Sequence, residues 1–235
     1  MIDKKKILAV IPARAGSKRL PKKNKKILHD KPLIEWTIKA ALKSKYLDEI
    51  TISTDDRDIQ KIGEKNGIKV PFLRPKYLAE DSSKSLDVLL HVVNLKENEG
   101  KNFDIIILLQ PTSPLRTDED IDNALELFIA KKAFSVVSVN ETEHSPLWCN
   151  TIDSSLSMEK FLSEDNLNKR SQELPVYYRL NGAIYIVDKN YLFKEKKIFA
   201  EKNIYAFIMK KEHSIDIDDQ LDFLIAETII KKIGV

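Results

Sequence analysis

Residues 7–24 read ILAVIPARAGSKRLPKKN, a short apolar run that passes straight into a basic loop. Ile7–Ile11 has the β-branched, uninterrupted character of a buried strand, and such runs are typical of central parallel strands. The next hundred residues repeat the pattern. A helix is expected over 32–43, with Pro32 in its first turn and Ile34, Ile38 and Ala41 on one face. A second strand around Ile50 and Ile52 ends at Ser53-Thr54-Asp55, and a helix over 58–66 stops at Gly67. A short third strand is expected over 70–73 and a helix over 85–96. The apolar run 105–109 reads as another buried strand. A helix is expected over 117–131 behind the capping pattern Thr117-x-x-Asp120, and then a strand over 135–139. Strands alternating with helices predict an α/β fold: a mostly parallel, doubly wound sheet with helices on both faces. In such sheets ligands bind beyond the carboxyl ends of the strands.

The alternation breaks after Asn140. Residues 141–180 are polar and irregular, with scattered apolar anchors at Leu147, Trp148, Leu156, Met158, Phe161 and Leu162, and read as an insertion in a single domain spanning 1–235. Strand character returns over 183–187 and 204–208. Leu221, Leu224, Ile225, Thr228 and Ile229 mark a final helix.

Composition sets limits on function. The 39 basic and 36 acidic residues leave a net charge of only +3, against the clustered excess of a nucleic-acid binder. The single cysteine, Cys149, has no internal partner for a disulfide and no spacing for zinc. No apolar run approaches the roughly 20 residues that span a bilayer. A cytoplasmic protein is expected, without nucleic-acid or membrane partners. His29, His91, His144 and His213 show no metal-ligand spacing.

Four segments carry chemistry. The loop 12–24 offers Gly16, Ser17 and five cations (Arg14, Lys18, Arg19, Lys22, Lys23) after the first strand. It matches neither a P-loop nor a dinucleotide fingerprint. A solvated basic turn is the alternative, and its place after strand one favours phosphate. The loop 110–117, QPTSPLRT, is stiffened by two prolines and displays Gln110, Thr112, Ser113 and Arg116. In 214–219, SIDIDD, alternation puts Asp216 and Asp218 on one side of an extended segment, a pair suited to Mg²⁺ beside phosphates. Helix capping accounts for Asp219 and competes for Asp218. Arg170 and Arg179, by themselves, read as surface arginines of the insertion.

Taken in order, IPARAGSKRLPKKN, STDD, LRPKYLAED, LLQPTSPLRT, RLNGAIYIVD and SIDIDD resemble the acylneuraminate cytidylyltransferases, which include CMP-sialic acid synthetases and bacterial CMP-legionaminic acid relatives. The resemblance implies a fold of the nucleotide-diphospho-sugar transferase type. It also implies an enzyme that joins CMP from CTP to a nonulosonic acid, with Mg²⁺ or Mn²⁺ assisting. On it, Arg14, Ser17, Lys23 and Asn24 form the CTP loop, and Arg74 and Ser85 meet cytosine and ribose. Gln110, Thr112 and Ser113 hold the acceptor sugar. Arg170 and Arg179 sit near the triphosphate and the sugar carboxylate, and Asn181 and Tyr185 belong to the substrate-binding strand. Asp216 and Asp218 are the metal ligands, and with Arg14 and Lys23 the catalytic set. Segment 141–180 resembles a dimerisation element that reaches the neighbouring subunit's site, which implies a homodimer. Arg19 replaces a glycine common in the family. The GSKRLPKK version resembles legionaminate- and pseudaminate-type enzymes, whereas the pseudaminate branch differs in the QPTSPLR and NGAIY stretches. Enzymes for another acidic sugar, pseudaminic acid or Kdo, and a non-catalytic nucleotide-binding module on the same fold are the alternatives.

Overall fold

The computed structural model describes residues 2–70, 72–166 and 168–233. In chain order the elements are strand β1 (Ile7–Pro12), the short hairpin β2 (Ile27–Leu28) and β3 (Lys31–Pro32), helix α1 (Leu33–Lys43), β4 (Glu49–Ser53), α2 (Arg57–Lys65) and α3 (Ser85–Asn98). They continue as β5 (Ile105–Leu109), α4 (Asp118–Ala130), β6 (Ser135–Glu141), β7 (Tyr178–Asp188), α5 (Lys189–Glu195), β8 (Ile204–Ile208) and α6 (Gln220–Ile233). Six strands form one sheet in the order β4-β1-β5-β7-β6-β8. Every pairing in it is parallel except those of β7, which runs antiparallel between β5 and β6.

The central strands β1 and β5 are buried on both faces because helices cover both. Ile34 and Ile38 of α1, Ile59 of α2, and Ile121, Leu125 and Phe128 of α4 share one core with Ile7, Ile52 and Ile107 of the sheet. Leu89, Val92 and Val93 of α3 and Leu192 of α5 form the opposite core with Leu8, Val10 and Ile106. The sheet is doubly wound, as the alternation of elements requires. Caps fix the helix starts. Thr117 and Asp120 form a complete capping box on α4, and Asp56 accepts from Asp58 N–H at the start of α2. Gly67 sits at φ +81°, the left-handed stop that the sequence assigns it.

Two expectations change. No strand forms over 70–73 among the described residues. Val70 is buried in the first core, and its carbonyl accepts from Gln60 Nε2 of α2 at 2.8 Å instead of joining a ladder. The irregular segment expected over 141–180 is bounded at 142 and 177, because β6 runs on through Glu141 and β7 begins at Tyr178. Helix α6 packs through Phe223, Ala226 and Ile230, against Leu28, Leu33, Trp36 and Ile217. Leu221, Leu224 and Ile225, which mark the helix in sequence, are 65%, 50% and 40% exposed. Among the described residues no helix is long and apolar enough to cross a membrane.

Candidate active site

The loop after β1 is tied down at both ends before it presents any charge. Ala13 N–H donates to Ser53 O of β4, and Ala15 N–H donates to Asp55 Oδ1 at 2.8 Å. Asn24, nearly buried, donates from Nδ2 to Arg14 O at 3.1 Å, and Leu20 is buried beneath the loop. Lys22 takes a left-handed conformation, φ 55°, and turns the chain into a short 3-10 turn over Lys23–Lys25. Between these anchors Arg14, Ser17, Lys18, Arg19 and Lys23 line one wall of a cavity of about 370 Å³. Gln110, Thr112, Asp216 and Asp218 line it too. It lies past the carboxyl ends of β1 and β5, where an open α/β sheet binds ligands.

The acidic wall is held by the loop that faces it. Ile217 N–H donates to Thr112 O at 2.8 Å, so the segment over 214–219 lies along the loop after β5. Lys23 Nζ donates to Ile217 O at 2.6 Å and stands 3.5 Å from Asp218 Oδ1, and Arg19 Nη1 meets Asp218 Oδ2 at 2.9 Å. Burial raises the Asp216 carboxyl above the ordinary carboxylate range, the Thr112 hydroxyl lowers it in part, and the charge on Asp218 raises it further. Asp216 Oδ1 is buried with no hydrogen-bond partner. Asp219 caps α6, its Oδ1 accepting from Leu221 N–H at 2.8 Å and Asp222 N–H at 3.1 Å.

An orphaned, desolvated carboxylate oxygen with a second carboxylate on the same cavity is a donor set that fits a hard divalent cation. Among the described residues no cluster of three or more His, Cys, Asp or Glu gathers for a metal. Two carboxylates completed by water and phosphate are the environment Mg²⁺ prefers.

A smaller cavity of about 220 Å³ adjoins the first, sharing Pro12 and Arg14 and lined also by Arg74 and Ser85. Arg74 is buried. Its Nε donates to Ser53 Oγ at 3.0 Å, its Nη2 to Ser53 O, and its Nη1 to Leu78 O at 3.4 Å. Burial lowers its pKa to about 10, which leaves it charged at neutral pH. Ser85 opens α3.

The remaining candidates lie elsewhere. Ser113 and Asn181 are fully buried. Asn181 accepts from Ser138 Oγ at 2.6 Å and donates to Ser214 Oγ at 3.1 Å, so it ties β7 to β6 and to the start of the acidic segment. The Ser113 hydroxyl points to Asn181 O at 3.5 Å. Next to Asn181, Gly182 has φ +74°, and a Cβ there would stand 2.9 Å from Gln110 Oε1 and 3.4 Å from Asp216 Oδ2. The missing side chain is what lets those two groups approach β7. Tyr185 packs edge-on against Phe199, with its pKa raised by burial and by Asp216. Arg170 is exposed between β6 and β7, and its backbone N–H donates to Glu173 Oε2. Arg179 pairs with Glu143 at 3.3 Å, an acidic partner that the sequence alone does not identify.

Arg116 corrects its expected display. It is 2% exposed and turned inward, donating from Nη1 to Gln110 O at 3.1 Å and Ala183 O at 2.8 Å, and from Nη2 to Thr37 Oγ1 at 2.7 Å. Burial lowers its pKa to about 9. Its work is to rivet the loop that carries Gln110 and Thr112. Sequence reasoning also misses Asp81, whose carboxylate pairs with Arg14 at 2.7 Å and Lys18 at 2.5 Å.

The profile of the family described as Cytidylyltransferase matches residues 8–230. The chain is 39% identical over 226 residues to the CMP-N,N'-diacetyllegionaminic acid synthase of Legionella pneumophila, covering 96% of this chain and 97% of that one. It is 36% identical to the N-acylneuraminate cytidylyltransferase of Escherichia coli O18:K1:H7 over 97% of its own length, and spans about half, 52%, of that longer protein. Among solved structures, CMP:2-keto-3-deoxy-manno-octonic acid synthetase complexed with CTP superposes with a TM-score of 0.71 over 97% of this chain and 99% of the other. At 18% identity that likeness concerns the fold.

Proposed function

This chain belongs to the cytidylyltransferase family, and from that premise we propose that it transfers CMP from CTP to the anomeric hydroxyl of a nonulosonic acid and releases pyrophosphate. The observation that carries the proposal is one cavity walled by the cations of the first loop on one side and by Asp216 and Asp218 on the other, with the Arg74–Ser85 chamber opening beside it. The cations suit a triphosphate, and Arg14, shared by both chambers, stands where the nucleoside passes into phosphate. Gln110 and Thr112, on a loop riveted by Arg116, are placed to orient the acceptor. In-line attack on the α-phosphorus then depends on positioning and charge neutralisation. Asp216 and Asp218 would hold Mg²⁺, which when bound supplies further charge neutralisation at phosphate oxygens. Arg14 and Lys23 complete the proposed catalytic set, with Ser17 and Asn24 shaping the loop around the phosphates.

The sugar proposed is of the legionaminic or N-acylneuraminic type. Legionaminic acid is favoured because a relative named for that product matches over nearly the full length of both chains. The test is a product assay with CTP against a panel of nonulosonic acids. Formation of the CMP-sugar with release of pyrophosphate is expected. A clear kcat/KM preference for N-acetylneuraminic acid would reverse the ranking, and efficient use of a neutral sugar phosphate would overturn the class. Activity is expected to vanish with EDTA and return with Mg²⁺ or Mn²⁺; turnover that resists the chelator would rule out the metal role of the aspartates.

We also propose a homodimer built through residues 142–177. This segment exposes Leu156 and Met158 to 76% and 58%. Beside it, the cross-strand row Leu180–Val139–Ile208 leaves its two outer members more than half exposed on the sheet. Apolar surface of this kind on both an arm and a sheet face is buried by a two-fold partner, the commonest closed assembly. In that assembly Arg170 and Arg179 serve the partner's site. Light scattering at micromolar concentration is expected to give the mass of a dimer, and a monomer would contradict the arrangement. The reaction is placed in the cytoplasm, the source of its nucleotide.

A further inference from the structure

Four cations of the first loop face the main cavity, and two carboxylates share them in pairs. Asp218 takes Arg19 and Lys23 from the acidic wall. Asp81 takes Arg14 and Lys18 from the other side. The reaction as proposed assigns Asp218 a place and leaves Asp81 without one.

Asp81 belongs to a short self-bonded turn. Ala79 N–H donates to Lys76 O, Ser83 N–H to Glu80 O, and Ser83 Oγ to Tyr77 O. The turn is anchored by buried Leu78, whose carbonyl accepts from Arg74. The carboxylate therefore stands at the seam of the two chambers, on a support independent of the loop it neutralises. Arg14 lines both chambers and Lys18 lines the larger one. The Lys18 side chain is 78% exposed and that of Asp81 47%, so either can swing aside without opening the core.

The geometry points to Asp81 as an internal counter-anion of the phosphate loop: it holds Arg14 and Lys18 together before nucleotide binds, and it competes with CTP and with pyrophosphate for those same two cations. The inference rests on the cytidylyltransferase reading and adds a positioning residue to it. Cations this close in sequence repel one another, and a carboxylate between two of them keeps them gathered where phosphate arrives. A phosphate oxygen that reaches Arg14 meets a like charge already in place, so binding displaces Asp81. Its return favours departure of the pyrophosphate.

Removing the competing charge without changing its shape tests this. Titration calorimetry at low ionic strength would give dissociation constants for CTP and for inorganic pyrophosphate with the wild type, Asp81→Asn and Asp81→Ala. Because the displaced pairs are exposed, each contributes little, and both ligands are expected to bind roughly 3- to 10-fold more tightly to the variants. The gain is expected to shrink in a Lys18→Met background, a response that a merely structural role of Asp81 would not give. Unchanged or weaker binding by both variants, or a gain indifferent to Lys18, overturns the proposal. A wild-type protein that binds neither CTP nor pyrophosphate would overturn the cytidylyltransferase reading itself, and this proposal with it.

Discussion

Asp216→Asn is expected to lose roughly 10²- to 10³-fold in kcat, the loss typical when one group that stabilises developing charge is removed from an enzyme site, while the ligand-free protein becomes more stable. The two effects have one cause. Burial and the nearby Asp218 hold the Asp216 carboxyl above its ordinary range, and its Oδ1 has no hydrogen-bond partner. The folded protein thus binds this proton more tightly than the unfolded chain does. The stabilisation is fully present at acid pH and is lost as pH rises through the raised pKa. At neutral pH the ionised carboxylate is a cost to the ligand-free protein, one that the proposed cation would offset. A neutral isostere removes that cost, about 1 kcal/mol, or about 2–4 °C in Tm for a chain of this size. Thermal unfolding of both proteins without metal across a pH series checks the sign. The gap should widen from acid to neutral pH, and a variant less stable at neutral pH would refute this account of Asp216. Asp219→Asn serves as the contrast: it changes a helix cap, and its activity should stay much closer to wild type.

Arg116→Met should show the opposite pattern, a large loss of stability from a residue that touches no substrate. Methionine fills much of the stem volume but leaves Ala183 O and Thr37 Oγ1 without that donor in the interior, and Gln110 O with only the long bond from Ser113 N–H. Unsatisfied buried acceptors cost about 3 kcal/mol together, which lowers Tm by roughly 10 °C. With the rivet gone, the loop bearing Gln110 and Thr112 is less ordered, and KM for the acceptor should rise more than KM for CTP. Arg116→Lys should not rescue, because a single ammonium cannot reproduce the planar fork that reaches three acceptors. A melting temperature within about 2 °C of wild type would show that the three acceptors find other partners.

Arg116 also shows where sequence reasoning stops. Strands announce themselves: Ile105–Leu109 is apolar without a break because both its faces are covered. The basic loop and the Asp-x-Asp segment stand out in the sequence because charges of one sign recur in them at close spacing, and the fold brings both to one cavity. Loops have no period, however, so nothing in QPTSPLRT says that its arginine turns inward while its glutamine faces the cavity. The last helix forms where the sequence marks it, but its buried face was not legible, for a related reason. It is apolar on more than one side, and the stripe through Phe223, Ala226 and Ile230 cannot be told from that through Leu221, Leu224 and Ile225 until the helix meets its neighbour. Asp81 with Arg14, and Glu143 with Arg179, are pairs between segments far apart in the chain. Only the folded backbone brings them together.

Strand order also bears on how the protein is made. Strand β5 pairs with β1 on one side, but its other edge receives β7, so that Ile105 lies opposite Asp188. Until the ribosome has released the whole of 178–188, the most apolar strand of the molecule stands with an open edge, and β6 waits unattached to the first half of the sheet. Pairings so distant along the chain form slowly, and an unpaired apolar edge invites other chains in the meantime. A nascent chain that ends before Tyr178 is therefore expected to be the most aggregation-prone species, and expression at low temperature, where synthesis and association both slow, should improve the soluble yield.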